Sequence, residues 1–180
     1  MILIVNTCSD KLSELEFVKP IENFLQKTEK HSRTLHYSEI SKEDLIQVKK
    51  AIISSTALKD INYLLHTKEF SWLKNFKKPL LGIGVGSLIL AMIFEGRLKE
   101  EVLIGRFRVT VTKNSILAPA NSFQAYFLCS HTVEELHQFD ILANTVGTNC
   151  MFKHKIHNYY GCLFCPEVLN TEIITRFCES

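Results

Sequence analysis

Pro79-Leu80-Leu81-Gly82-Ile83-Gly84-Val85-Gly86-Ser87 decides the fold: an apolar strand runs into a glycine-rich turn and then a helix through Leu88 to Phe94. In a strand-turn-helix elbow the central residue sits on a strained turn. Its side chain projects over the sheet edge while nearby backbone N–H groups face whatever binds there. Here that residue is Gly84. Gly82 and Gly86 supply the close packing such a turn needs, so the scaffold is complete where a reacting side chain would stand. Taken alone, Gly84 also reads as an ordinary tight-packing glycine.

Upstream of the elbow, residues 1–7 form a β-rich run, and Ser9-Asp10 offers a cap for a helix over Leu12 to Gln26, in which Pro20 marks a bend or a later start. Arg33 to Tyr37 reads as a strand, Leu45 to Val48 as a short helix, and Ala51 to Ser55 as a third strand. Phe70 to Phe76 has helical spacing, with Phe70, Trp72, Leu73 and Phe76 as core, and Gly96 stops the helix that the elbow feeds. Downstream, Glu101–Lys113, Phe123–Cys129, Phe139–Val146, Cys150–Lys155 and Tyr159–Phe164 are strand-like, with a tight turn at His157-Asn158 and a last helix over Glu167 to Cys178. Alternating strands and helices followed by hairpins predict a three-layer α/β domain whose mixed sheet carries an antiparallel extension. Ligands in such sheets sit beyond the carboxyl ends of the strands. Ser54-Ser55-Thr56, Gly84 and the turn after Phe164 are therefore expected at one crevice.

Composition narrows the function. The 180 residues suit one domain over 1–180, with no repeat or linker, and 46% apolar against 22% charged residues is the balance of a globular chain. A net charge of +2, with only short clusters such as Lys74-Asn75-Phe76-Lys77-Lys78, gives no basic stripe for nucleic acid. The apolar start Met1 to Asn6 is too short for a signal sequence or a membrane span. Six cysteines at irregular positions do not form a secreted disulfide framework, so reduced thiols and a cytoplasmic setting are expected.

Two segments together resemble the signatures of the class I glutamine amidotransferases, which release ammonia from glutamine with a Cys-His-Glu triad and pass it to a synthetase. The family's elbow, G-[IV]-C-x-G-x-Q, lies over Gly82 to Leu88, and its Y-G-[VI]-x-F-H-P-E signature lies over Tyr160-Gly161-Cys162-Leu163-Phe164-Cys165-Pro166-Glu167. The order of motifs matches along essentially the whole chain. Ile53 to Asp60 and Phe70 to Leu73 look closest to the stand-alone, archaeal-type glutaminase subunit of GMP synthase. The resemblance implies a flavodoxin-like α/β/α fold with a mostly parallel sheet and no cofactor. As partner it implies an ATP-dependent synthetase subunit, or a second copy of the chain in a homodimer.

Carried over residue by residue, the resemblance exposes losses. Gly84 stands at the nucleophile's position and has no side chain with which to form a thioester. Cys165 stands at the base's position, where a thiol titrating near ~8.5 is a poor substitute for an imidazole near ~6.5. Glu167 keeps the orienting carboxylate. Leu88 replaces a substrate-side Gln, Ser55 replaces an oxyanion-loop Gly, and the Val85 N–H is the remaining oxyanion donor. Ser130-His131 resembles the element that holds the glutamine α-substituents, and with Leu88 and Gly84 it is expected to line an apolar, slightly enlarged pocket for a small amino-acid-like ligand. A binding or regulatory subunit without glutaminase activity follows.

Two other readings compete. Cys165 is the best candidate for a replacement nucleophile in a working amidotransferase or hydrolase, although Glu167 beside it would raise its pKa; Ser87, on the helix's first turn, is worse placed. Cys162-Leu163-Phe164-Cys165, approached by Cys129 and His131, would make a metal-binding module, but a second matching ligand pair is absent. His154 and His157, flanking a turn, read as solvated.

Overall fold

The computed structural model describes residues 1–180. One nine-stranded sheet organises them, in the spatial order β2-β1-β3-β4-β9-β8-β7-β5-β6. Its strands are β1 (Ile2–Asn6), β2 (Ser32–His36), β3 (Lys50–Ile53), β4 (Leu80–Ile83), β5 (Arg97–Val111), β6 (Ser122–Glu134), β7 (Phe139–Thr145), β8 (Thr148–His154) and β9 (Tyr159–Cys162). The pairings from β2 to β9 are parallel, and those from β9 to β6 antiparallel. The antiparallel extension expected from the sequence is present and makes up half of these pairings. Its longest ribbon, β5–β6, curls back until Phe127 bridges Phe164 beyond the end of β9.

The parallel strands β1, β3 and β4 are buried on both faces, as their unbroken apolar runs require, because helices cover the sheet from both sides. Asp10 caps α1 (Lys11–Phe17) by accepting from the Leu12 and Ser13 N–H groups. Pro20 lies in the first turn of a separate helix, α2 (Lys19–Lys27), where its missing N–H costs no hydrogen bond, so the single helix expected over Leu12–Gln26 is two. The capping box Ser41/Asp44 starts α3 (Lys42–Gln47). After the short α4 (Asn62–Leu65), the run expected as a helix over 70–76 is a 3-10 segment, Thr67–Asn75. Phe70, Leu73 and Phe76 join the core, while Trp72 packs against it half-buried.

The elbow feeds α5 (Val85–Ile93). Its stop differs from the expectation: the left-handed residue is Glu95, at φ 66, and not Gly96. The Glu95 N–H donates to the Met92 carbonyl and the Gly96 N–H to that of Ala91, a Schellman closure. Gly96 fits a tight space, since a Cβ there would lie 3.0 Å from the Ala91 oxygen. The final helix is also two, α6 (Pro166–Leu169) and α7 (Thr171–Glu179), and Lys50 Nζ caps the latter by donating to the Phe177 and Cys178 carbonyls. No helix is long and apolar enough to cross a membrane.

Candidate functional site

At the carboxyl end of β4 the chain turns through Gly84, whose φ of 51 and ψ of −114 lie where a side chain is strained. Close packing holds the turn. A Cβ on Gly82 would lie 2.5 Å from the Gly86 oxygen, and one on Gly86 would collide with the Ile53 carbonyl. Both flanking glycines are therefore sterically required, as the sequence implies.

The parallel register sets Ile53 beside Gly82, so two residues further on Ser55 stands beside Gly84. A Cβ built on Gly84 would lie 2.8 Å from Ser55 Cβ and closer still to its Oγ. The Ser55 side chain thus fills the space above the turn. Its Oγ also accepts the Val85 N–H at 3.3 Å, so the donor expected to face an oxyanion is occupied. Ser55 is fixed from behind: its carbonyl accepts from Thr7 Oγ1 at 3.0 Å and from Cys8 Sγ at 3.6 Å. Further along that loop Asp60 accepts from the Ser9 N–H, Ser9 Oγ and Thr56 Oγ1. Burial works against the Asp60 charge, but these bonds outweigh it and hold the carboxyl below its usual range.

The segment after β9 meets the same end of the sheet. The Gly84 N–H donates to the Cys162 carbonyl, and the Cys165 N–H to that of Tyr126 on β6, each at 2.8 Å. Cys165 is 2% exposed, and its thiol sits against Glu167. Burial first, and then the neighbouring carboxylate, push this thiol well above its ordinary pKa. Glu167 as a whole is half-buried, yet its Oε2 is sealed from solvent with no hydrogen-bond partner. Burial raises its carboxyl to about 7, against the lowering effect of its backbone N–H and the Cys165 thiol.

The crevice expected beyond the strand ends is closed. Ser54, Ser55, Thr56, Gly84, Leu88, Phe164 and Cys165 are all buried, and the principal surface cavities lie elsewhere. The apolar pocket expected around Leu88 and Gly84 is therefore packed shut, with Ser55 as the filling group and Leu88 turned into the core. Ser130 and His131 are half-buried on β6, Ser130 Oγ pairing with His131 Nδ1 at 3.0 Å, and neither is hydrogen-bonded to the elbow.

All six cysteines are free, and no three His, Cys, Asp or Glu side chains converge as metal ligands. His154, expected in solvent, is 2% exposed. Its ring packs edge-on against Phe94 and Phe139, and Nδ1 accepts from the Ile156 and His157 N–H groups at 3.1 Å each. The imidazole folds back to satisfy the turn after β8, which sequence spacing does not reveal.

No protein-family model matches the chain. It is 28% identical over 182 aligned positions to a glutamine-hydrolysing GMP synthase subunit from Methanosphaera stadtmanae, covering 89% of this chain and 97% of that protein. In structure it resembles a putative GMP synthase subunit from Thermoplasma acidophilum, with a TM-score of 0.88 over 99% of this chain and 92% of the other at 17% identity. A glutamine amidotransferase from Thermotoga maritima gives a TM-score of 0.70 over 99% and 81% at 14% identity. The chain thus resembles a GMP synthase subunit in sequence along nine-tenths of its length, and shares the fold of glutamine amidotransferases along nearly all of it.

Proposed function

We propose that this protein no longer hydrolyses glutamine and serves as a binding or regulatory subunit beside an ATP-dependent synthetase subunit in the cytoplasm. The observation that carries the reading is Ser55 in the space above Gly84, with its Oγ on the Val85 N–H. On this reading Gly84, Cys165 and Glu167 are the remnants of a triad. The nucleophile's position has no side chain, the oxyanion donor is taken, and the base's position holds a buried thiol that stays protonated at neutral pH. Triad members act as a unit, so losing nucleophile and base together removes thioester chemistry. Burial of Ser55, Val85 and Leu88 extends the loss from chemistry to glutamine binding. The likeness to the GMP synthase subunit of Methanosphaera stadtmanae supports the choice of partner.

The test mixes the chain with a GMP synthase-type synthetase subunit, following complex formation by sedimentation and ammonia release from glutamine. A complex that leaves glutamine intact is expected. Ammonia release overturns the loss of activity, and a chain that only self-associates replaces the synthetase by a homodimer. Iodoacetamide at neutral pH addresses Cys165 as a nucleophile: it is expected to remain unlabelled in the folded protein.

A further inference from the structure

At the amino end of β3 and β4, away from Gly84, α3 and the 3-10 segment Thr67–Asn75 leave a cleft of about 610 Å³. Leu45, Ile46, Trp72 and Phe76 give it an apolar lining, and Lys42, Asn75 and Lys78 are its polar members; no acidic side chain lines it. Lys78 forms part of its floor, donating through Nζ to the Leu45, Ile46 and Val48 carbonyls at the end of α3. Trp72 meets Phe76 edge-on at 5.1 Å between ring centroids. The Trp72 Nε1–H is shut off from solvent and has no acceptor, whereas a buried donor is normally paired. Ile46, across the cleft, is 75% exposed.

The volume matches a small-molecule site, where an apolar and aromatic lining carries a few polar groups that orient the ligand. Both charges at the cleft, Lys42 and Lys78, are positive. We propose that this cleft binds a small aromatic carboxylate. The aromatic body lies between Ile46 and the Trp72–Phe76 pair, and the carboxylate is drawn by Lys42 and by the charge of Lys78, whose own N–H groups stay on the α3 carbonyls. An apolar body alone leaves the positive charge of the cleft unmatched, and a simple anion leaves the apolar walls in water, so both features are needed.

Trp72 is the sole tryptophan, so its indole N–H gives one isolated NMR cross-peak on ¹⁵N-labelled protein. Titration with naphthalene-2-carboxylate is expected to shift that peak saturably. Naphthalene-2-carboxamide should bind at least about tenfold more weakly for want of the charge attraction. Ile46→Glu places an anion on an exposed position that folding does not use, and should weaken the carboxylate at least about tenfold by lost apolar contact and repulsion. An indole peak unmoved by the carboxylate, equal binding of the carboxamide, or unchanged binding by Ile46→Glu overturns the assignment. So does a peak that moves only with protein concentration, which would make the cleft a contact between copies of the chain.

Discussion

Ser55 Oγ accepts the Val85 N–H at 3.3 Å from the space in which a side chain on Gly84 would begin. The two positions are therefore sterically coupled. Gly84→Ala should cost about 2–4 kcal/mol of stability, through a left-handed φ and the contact with Ser55. In a Ser55→Gly background the same change should cost at least about 1 kcal/mol less. Urea unfolding of the four proteins of this cycle checks it, and additive costs would remove the coupling.

The same coupling bears on restoring activity. Gly84→Cys with Cys165→His returns the two lost groups but leaves Ser55 over the turn, so this double variant is expected to stay inactive or unfold. Adding Ser55→Gly relieves the clash and frees the Val85 N–H. Ammonia release should therefore be highest in the triple variant.

Glu167 makes stability depend on pH. Its folded pKa of about 7 lies above the ordinary 4.5, so the folded state binds the extra proton. Its contribution is fully present below pH 4.5 and is lost as pH rises through 7. Glu167→Gln should accordingly be more stable than the parent by about 2–4 kcal/mol at pH 8, an advantage that shrinks toward pH 4. Chemical denaturation at the two pH values measures the difference.

His154 acts in the opposite direction. Burial, and then His157, lower its pKa, and Nδ1 is committed as an acceptor. The neutral ring's contribution is present above the ordinary value of 6.5 and is lost as pH falls below it, because the unfolded chain takes up a proton that the folded one refuses. Imidazole ¹⁵N shifts followed against pH should show His154 titrating below the ordinary 6.5, with the neutral ring carrying its proton on Nε2; a ring that titrates above 6.5 would contradict the packing.

Glu95 holds a left-handed conformation with an ordinary side chain. Glu95→Gly should raise stability by up to about 1 kcal/mol despite loss of the exposed bond from Gln138 Nε2. A higher melting temperature is the expected sign.

Local sterics made much of this legible in the sequence. Gly82 and Gly86 could be read as packing glycines because their neighbours lie within the same turn, and Asp10 as a cap because its partners are two and three residues away. The alternation of β1 to β4 with helices gave the parallel half of the sheet. What escaped depends on distant contacts. Ser55 meets Gly84 only through the β3–β4 register, and His154 is buried by Phe94 and Phe139. The curl joining Phe127 to Phe164 likewise depends on the length and path of β5–β6. At the helix stop the unusual φ falls on Glu95, a residue type that does not mark it, rather than on the adjacent Gly96.

The central claim, that the elbow is filled and cannot turn over glutamine, is tested most directly by ammonia release from saturating glutamine by the unmodified protein. The expected rate is indistinguishable from that of glutamine in buffer. A protein-dependent rate that Cys165→Ala abolishes would contradict it.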